Sequence, residues 1–433
     1  MKPTFRIIGL CMALMPLSQW AEAQNVKTFE VEVTNSWSEP KTNEPVVVKL
    51  NRLRGKAILT TQAEVSCNGT AVASQLDDMD GNGMADELVF LTNLQPRECK
   101  VFKVRLTDAK TVGAGEQTQP RVYADMMLDD KKGKHPFLTE LSAPGDSYLY
   151  SDLYHHGAAF ESELTGYRIY FDHRQNVDIY GKRQQRLELA DTHFYTAPEQ
   201  QAQNYGNDVL WAGSSVGCGS LKLWNDGPGD WKKVGRRTQR IVAAGPLRTV
   251  VEMSDYNMHG FDIRAYYLLY AGHRDVEVQV RLNHPIERPM FCTGVTRTGV
   301  HSETFSAEAK SGIDLNTGLA ISWGKDYPEQ SSDEMKARFA PEAVGMAVFA
   351  EPKYMIQTRM DESNCLLVIG KPGTKAFEYH ITFAADKEQN SSIHDFESWA
   401  QHVAGWRESL LHKANVKVRK IICLRKTASR SRK

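Results

Sequence analysis

Between residues 28 and 106, apolar and polar positions alternate in short runs, at 29–33, 46–50, 88–91 and 101–104. A period of two broken by turn residues predicts a small antiparallel β-sandwich over residues 25–110. Residues 107–150 are rich in Gly, Pro, Lys and Asp and show no period, so they form a connecting region. Strand-like runs return at 209–211, 220–224 and 248–253. The runs 263–270 and 276–282 flank the polar turn Ala271-Gly272-His273-Arg274-Asp275 and predict a long hairpin. Further strands are expected at 319–323, 344–349, 366–369 and 379–383. One helix is predicted near the end. Ile393, Phe396, Trp399, Val403, Trp406 and Leu410 recur at spacings of three and four, with Ser392 and Asp395 as its capping pair. Many strands and few helices predict a mainly β protein. Its larger part is an antiparallel sandwich over 111–416 with a C-terminal helix, and a basic tail follows at 417–433.

The first 24 residues read as an export signal: Lys2 and Arg6, an apolar run at 7–17, then Ala21-Glu22-Ala23 before Gln24. The apolar run is too short to span a bilayer. A soluble periplasmic protein is therefore expected. The chain carries 53 Lys and Arg against 53 Asp and Glu. Basic residues concentrate in the signal and the tail, so the body between them is acidic. That balance argues against a nucleic-acid partner. Of seven cysteines, one lies in the signal, and no Cys-x-x-Cys pair occurs. Export permits a bond between Cys67 and Cys99, and Cys218, Cys292 and Cys365, among apolar or small residues, read as buried thiols. No organic cofactor is expected.

Within the small sandwich lies Asp77-Asp78-Met79-Asp80-Gly81-Asn82-Gly83-Met84-Ala85-Asp86-Glu87. Asp78, Asp80 and Asn82 offer oxygens at alternate positions, and Gly83 suits the sharp turn of a calcium loop. The twelfth position is Val89 and no helix pattern follows, so Asp86 or Glu87 would close the shell. The competing reading is an Asp/Asn/Gly hairpin turn without metal.

Ionisable groups are densest from Tyr154 to Gly181. His155 and His156 lead, Glu161 and Glu163 follow, and Tyr167, Arg168 and Tyr170 arrive in a strand-like run. Alternation puts Tyr167, Ile169 and Phe171 on one face and Arg168, Tyr170 and Asp172 on the other. If the second face lines a cleft, an arginine, a phenol and a carboxylate converge there, which suits a sugar acid. The alternative is a surface charge pattern over a tyrosine-packed sheet.

The loop ending Asp86-Glu87-Leu88-Val89-Phe90, the block from His155 to Glu163, Asp178-Ile179-Tyr180-Gly181-Lys182 and Asp208-Val209-Leu210-Trp211-Ala212-Gly213-Ser214-Ser215 carry a resemblance. Together they resemble an exported Bacteroidetes family catalogued as domain of unknown function 4861, over nearly all of the chain to about Val416. The resemblance implies a sandwich similar to the galactose-mutarotase superfold. It also implies a place in polysaccharide degradation, beside hydrolases that take unsaturated uronic acids.

Making such a uronate means removing the C5 proton and expelling a group from C4. The enzyme needs a cation for the carboxylate, a base, and an acid for the leaving oxygen. Arg168 suits the first, His155 or His156 the second, and Tyr167 or Tyr170 the third. Glu161, Glu163, Asp172 and Trp211 are the further candidates for holding an acidic oligosaccharide. A glycoside hydrolase would instead pair Glu161 or Glu163 with Asp172 or Asp208. A non-catalytic glycan-binding protein would use Trp211, Trp224 and Trp231 as platforms. His259, His301, Glu303 and His380, near strand ends, read as structural.

Overall fold

The computed structural model describes residues 26–51, 53, 62–107, 119–130, 133–258 and 260–424, with only the backbone of 420–424. The expected export signal, His259 and the last nine residues lie outside them. The protein is mainly β. Two β-sandwiches are packed together, and a helix lies on the larger one.

In the small sandwich a five-stranded sheet faces a three-stranded one. The strand Val26–Thr34 alternates inward and outward, and its Phe29, Val31 and Val33 meet Val46, Val48, Phe90, Phe102 and Val104. The other edge of Val26–Thr34 is taken by Asn415–Leu424, paired antiparallel along its whole length. This corrects the expected free basic tail as far as Leu424. Val416 and Val418 alternate with Lys417 and Arg419, so the valines reach the small core while Arg419 meets Glu32 at 2.6 Å. Two strands far apart in sequence, Val26–Thr34 and Asn415–Leu424, are thus neighbours in one sheet. Cys67 and Cys99 are free thiols. Cys67 faces Phe102, three residues along from Cys99, a stagger of roughly 10 Å that no disulfide spans.

In the large sandwich a nine-stranded sheet packs against two five-stranded sheets. The hairpin predicted around 271–275 is formed by Phe261–Tyr270 and Val276–Leu282. The helix Phe396–Leu411 buries Trp399 and Val403 against the large sheet. Its cap is Asp395 with Ser398, whose N–H donates to Asp395 Oδ1 at 2.8 Å, rather than Ser392 with Asp395. Among the described residues no helix is long and apolar enough to cross a membrane.

The two sandwiches are joined through Arg248, fully buried. Its Nε donates to Asp77 Oδ2 at 2.9 Å and its Nη2 meets Glu87 at 2.8 Å. Gln75 accepts from the N–H groups of Leu247 and Arg248 at 2.9 and 3.0 Å. Glu87 also pairs with Lys49. It is therefore committed to the interface and does not close a metal shell, contrary to the expectation for that residue.

Candidate functional site

The strands Gly157–Ser162, Thr165–Tyr170 and Val177–Gly181 form the middle of one five-stranded sheet. Alternation holds as expected: Tyr167, Ile169 and Phe171 enter the large core. The Tyr167 hydroxyl donates to the Arg274 carbonyl at 2.6 Å. Tyr167 is therefore a core residue and is removed from the catalytic set.

The opposite face carries Arg168 and Tyr170, but it is not an open cleft. Residues 150–156 and 188–208 cover it, and Arg168 is completely buried. Register places Asp178 directly across from Arg168, and its carboxylate accepts from Nε at 3.0 Å and Nη2 at 2.6 Å. Asp208 accepts from the same Nη2 at 2.8 Å. Phe194 lies 4.1 Å from the guanidinium carbon. Asp178 and Asp208 thus share one buried cation. Burial and the neighbouring Asp178 push the Asp208 carboxyl well up. The fork assigned to a substrate carboxylate is spent on protein carboxylates, so Arg168 organises the site from beneath. Tyr170 is equally committed, its hydroxyl donating to Asp178 at 2.6 Å.

The remaining predicted carboxylates are also engaged. Glu161 is buried, pairs with Lys182 and accepts from the N–H groups of Glu188 and Leu189 at 2.8 Å each. That anchors the covering segment. Glu163 binds Arg121 at 2.5 Å and Gly272 N–H at 2.9 Å, at the far end of the hairpin. Asp172 accepts from Arg174 N at 2.7 Å and from its Nε at 2.7 Å, fixing a turn. No pair of these carboxylates brackets an open space, which removes the support for the hydrolase pairing.

The two histidines part company. His155 is fully buried, 3.8 Å from Asp125, and neither ring nitrogen has a hydrogen-bond partner among the described residues. Burial and then His193 and Arg168 push its pKa well down, while burial pushes Asp125 up to about 7. His155 has no route to a ligand. His156 sits half-buried at the rim, in the left-handed region at φ 62°. Its N–H donates to the Leu153 carbonyl at 2.9 Å and its own carbonyl accepts from Phe171 at 2.8 Å. Gly157 follows because a Cβ there would stand 1.9 Å from the Ile169 carbonyl oxygen. The imidazole stacks on Tyr150, and Nδ1 lies 3.0 Å from the Tyr150 carbonyl. A carbonyl only accepts, so Nδ1 carries the proton and Nε2 the lone pair. Nε2 has no hydrogen-bond partner among the described residues, and His156 as a whole is half-buried. Burial and the Arg168 charge push this imidazole down to about 3.

Sequence reasoning missed Tyr150, Arg174, His193 and Tyr195, which complete the rim. The Arg174 guanidinium lies 4.7 Å from the Tyr150 ring. Two of its nitrogens hold Asp172, and Nη1 has no hydrogen-bond partner among the described residues. His193 stands 6.2 Å from His156 and is pushed down to about 4 by burial and Arg168. Tyr150 is pushed up by burial and stays a phenol. These residues lie in segments without period, so only their aromatic and basic character marked them. Trp211 is partly exposed elsewhere on the surface, next to a cleft, whereas Trp231 is buried and donates to the Leu221 carbonyl at 2.9 Å, so it is no platform.

In the Asp-rich loop, the carboxylate oxygens of Asp78, Asp80 and Asp86 lie within 4.8 Å of one another. Asp78 accepts from the N–H groups of Gly81 and Gly83 at 2.8 and 2.6 Å. Asn82 Oδ1 accepts from Met84 N–H at 2.9 Å. The three carboxylates suit a hard cation, and the site is far in sequence from the histidine rim.

Fold and site together define a β-sandwich protein with a buried arginine–carboxylate centre under a rim of histidine and tyrosine. The chain belongs to the family described as Domain of unknown function (DUF4861), whose model matches residues 33–416. Among solved structures it is similar to a glycosyl hydrolase family 38 protein from Enterococcus faecalis, with TM-score 0.45 and 9% identity, over 91% of this chain and 47% of that one. It is also similar to an alpha-mannosidase from Enterococcus faecalis V583, with TM-score 0.44 and 10% identity, over 91% and 46%. The chain spans about half the length of either, and a likeness this distant says nothing of activity. No curated protein matches the sequence.

Proposed function

We propose that the protein is a carbohydrate-active enzyme of the periplasm that acts on uronate-bearing oligosaccharides by β-elimination. The observation that carries this reading is the unprotonated Nε2 of half-buried His156, without a hydrogen-bond partner among the described residues and held beside a tyrosine and two arginines. His156 Nε2 takes the C5 proton, the electron pair forms the C4=C5 bond, and the C4–O bond breaks. Tyr150 gives its proton to the departing oxygen, the role first assigned to Tyr167 or Tyr170. Arg174 takes over the substrate carboxylate from Arg168 through Nη1, the nitrogen its pair with Asp172 leaves over, and the buried Arg168 charge adds to the field. A free imidazole with a pKa near 3 is a weak base. Burial depresses it most and the Arg168 charge next; the substrate carboxylate offsets the arginine part, and so raises it on binding.

If the leaving group is the free hydroxyl of a terminal uronate, the step is dehydration; if it is a sugar, chain cleavage. The test is incubation with uronate-terminated oligosaccharides, monitored by near-ultraviolet absorbance and mass spectrometry. A rise in absorbance is expected, lost in His156→Ala with the fold intact. Loss of one water means dehydration, and a shortened chain means lyase action. Sugar release without a new chromophore overturns elimination in favour of hydrolysis, and binding without product leaves a glycan-binding protein.

A further inference from the structure

The segment from Asp208 to Ser215 has two ends with different surroundings. Asp208 is consumed by Arg168. The Trp211 end lines a cleft of about 230 Å³ with Arg297, Thr298, His301 and Tyr327, which the elimination chemistry does not use.

Three features of this cleft call for a ligand. Trp211 is 36% exposed, and its indole lies against Gly213. Gly213 has φ +50°, and a Cβ there would stand 2.9 Å from the indole nitrogen. Glycine thus lets the ring lie over the loop, preset as a flat surface. Arg297 is held by neutral partners, donating to Ser311 Oγ at 3.1 Å and to the Asp361 and Glu362 carbonyls at 2.8 and 3.2 Å. Among the described residues its Nη2 has no hydrogen-bond partner and its guanidinium forms no ion pair, so half-buried Arg297 brings an oriented cation to the cleft lining. Thr298 is 6% exposed, and its buried Oγ1 has no hydrogen-bond partner among the described residues, an arrangement that native structures seldom leave unmet. The one carboxylate among the lining residues, Asp326, accepts from the Tyr327 N–H at 2.9 Å.

We propose that this cleft is a saccharide subsite that stacks a pyranose ring on Trp211 and holds an anionic substituent, carboxylate or sulfate ester, on Arg297. Indole and guanidinium are suited to these tasks, a flat apolar face for the ring and a fork for a planar or tetrahedral anion. Trp211 follows Asp208 three positions along, at most about 11 Å of chain. The role as a second grip on the same oligosaccharide rests on the reading above; the binding of an acidic sugar does not.

The test is titration calorimetry of the mature protein with three tetrasaccharides: one uronate-bearing, one sulfated without uronate, and one neutral. Trp211→Ala is expected to weaken all binding about tenfold. Arg297→Gln is expected to weaken only the charged ligands, and the arm that suffers more identifies carboxylate or sulfate. Arg297→Lys, which keeps the charge, serves if the glutamine variant unfolds, and should retain part of the affinity. Unchanged affinity in Trp211→Ala and both Arg297 variants overturns the subsite, even where the absorbance assay is positive. Trp211-dependent binding without any absorbance change supports the subsite while the elimination reading falls.

Discussion

His156 and Tyr150 stack with ring centroids 3.7 Å apart and planes 13° from parallel, while Nδ1 of the same imidazole lies 3.0 Å from the Tyr150 carbonyl. One residue thereby fixes both the orientation and the tautomer of the other. The neutral imidazole is the active form of a base. Because burial and Arg168 hold it down to about 3, protonation removes activity only near that pH. In the free enzyme, kcat/KM should therefore show no His156 limb near about 6.5, the ordinary histidine value. In the complex the substrate carboxylate favours the imidazolium, so the acid limb of kcat should lie at higher pH than that of kcat/KM. Nitrogen chemical shifts of the His156 ring give the same titration directly. A free-enzyme midpoint near the ordinary value overturns the assignment.

Arg168 and Arg174 should separate stability from binding. Arg168→Met leaves Asp178 and Asp208 buried without their cation, at a cost of about 3–5 kcal/mol. Thermal denaturation should show a large fall in melting temperature. Arg174 is partly exposed, and Lys at that position keeps a charge for Asp172 but has no second donor to replace Nη1, the nitrogen that the pair with Asp172 leaves over for substrate. Arg174→Lys should raise KM about tenfold with little change in melting temperature. A variant at Arg174 that binds normally would return it to a structural role.

Arg248 makes the junction between sandwiches electrostatic. Arg248→Ala leaves buried Asp77 to neutral Gln75 and Glu87 to the half-exposed Lys49, again costing about 3–5 kcal/mol. Hydrogen exchange should show the small sandwich losing protection before the large sheet. Simultaneous loss across both would mean that the two unfold as one cooperative unit.

The alternation of residues 29–33 and 167–171 was legible because a pleated strand imposes a period of two whatever its neighbours. The helix near 396 was legible for the corresponding reason. The pairing of Asn415–Leu424 was not, although Val416-Lys417-Val418-Arg419 alternates, because its basic composition resembles a solvated end. Within the site, the sequence grouped Arg168 with Tyr170 and the two histidines. It could not show that Asp178 and Asp208, ten and forty residues on, would occupy the guanidinium. Nor could spacing separate the buried His155 from the accessible His156, because a left-handed backbone at 156 turns adjacent side chains to different depths.

The Asp-rich loop yields the last prediction. We propose that calcium binds Asp78, Asp80 and Asp86, with Asn82 contributing its side-chain oxygen. The carboxylates converge within 4.8 Å. Slight burial pushes the Asp78 carboxyl up, but hydrogen bonds from the Gly83, Gly81 and Asn82 N–H groups outweigh it and hold the pKa low. Asp78 therefore stays ionised, ready for a cation. The loop is also mechanically coupled to the junction. Asp86 N–H donates to the Asp77 carbonyl at 2.7 Å, while the Asp77 side chain binds Arg248. Arg240 Nη2 donates to the Met79 carbonyl at 3.1 Å, joining the loop to the large sheet. An ion that fixes the loop should thus stabilise the contact between sandwiches as well as the turn. At a calcium concentration of 100 times Kd, the stabilisation is about 2.7 kcal/mol. Chelation should lower the melting temperature, added calcium should restore it, and Asp78→Asn should abolish the difference. Elemental analysis of the purified protein checks occupancy independently. A melting temperature indifferent to chelator, in protein that carries no metal, would leave the loop as a hydrogen-bonded turn. A calcium response that persists in Asp78→Asn would place the ion elsewhere.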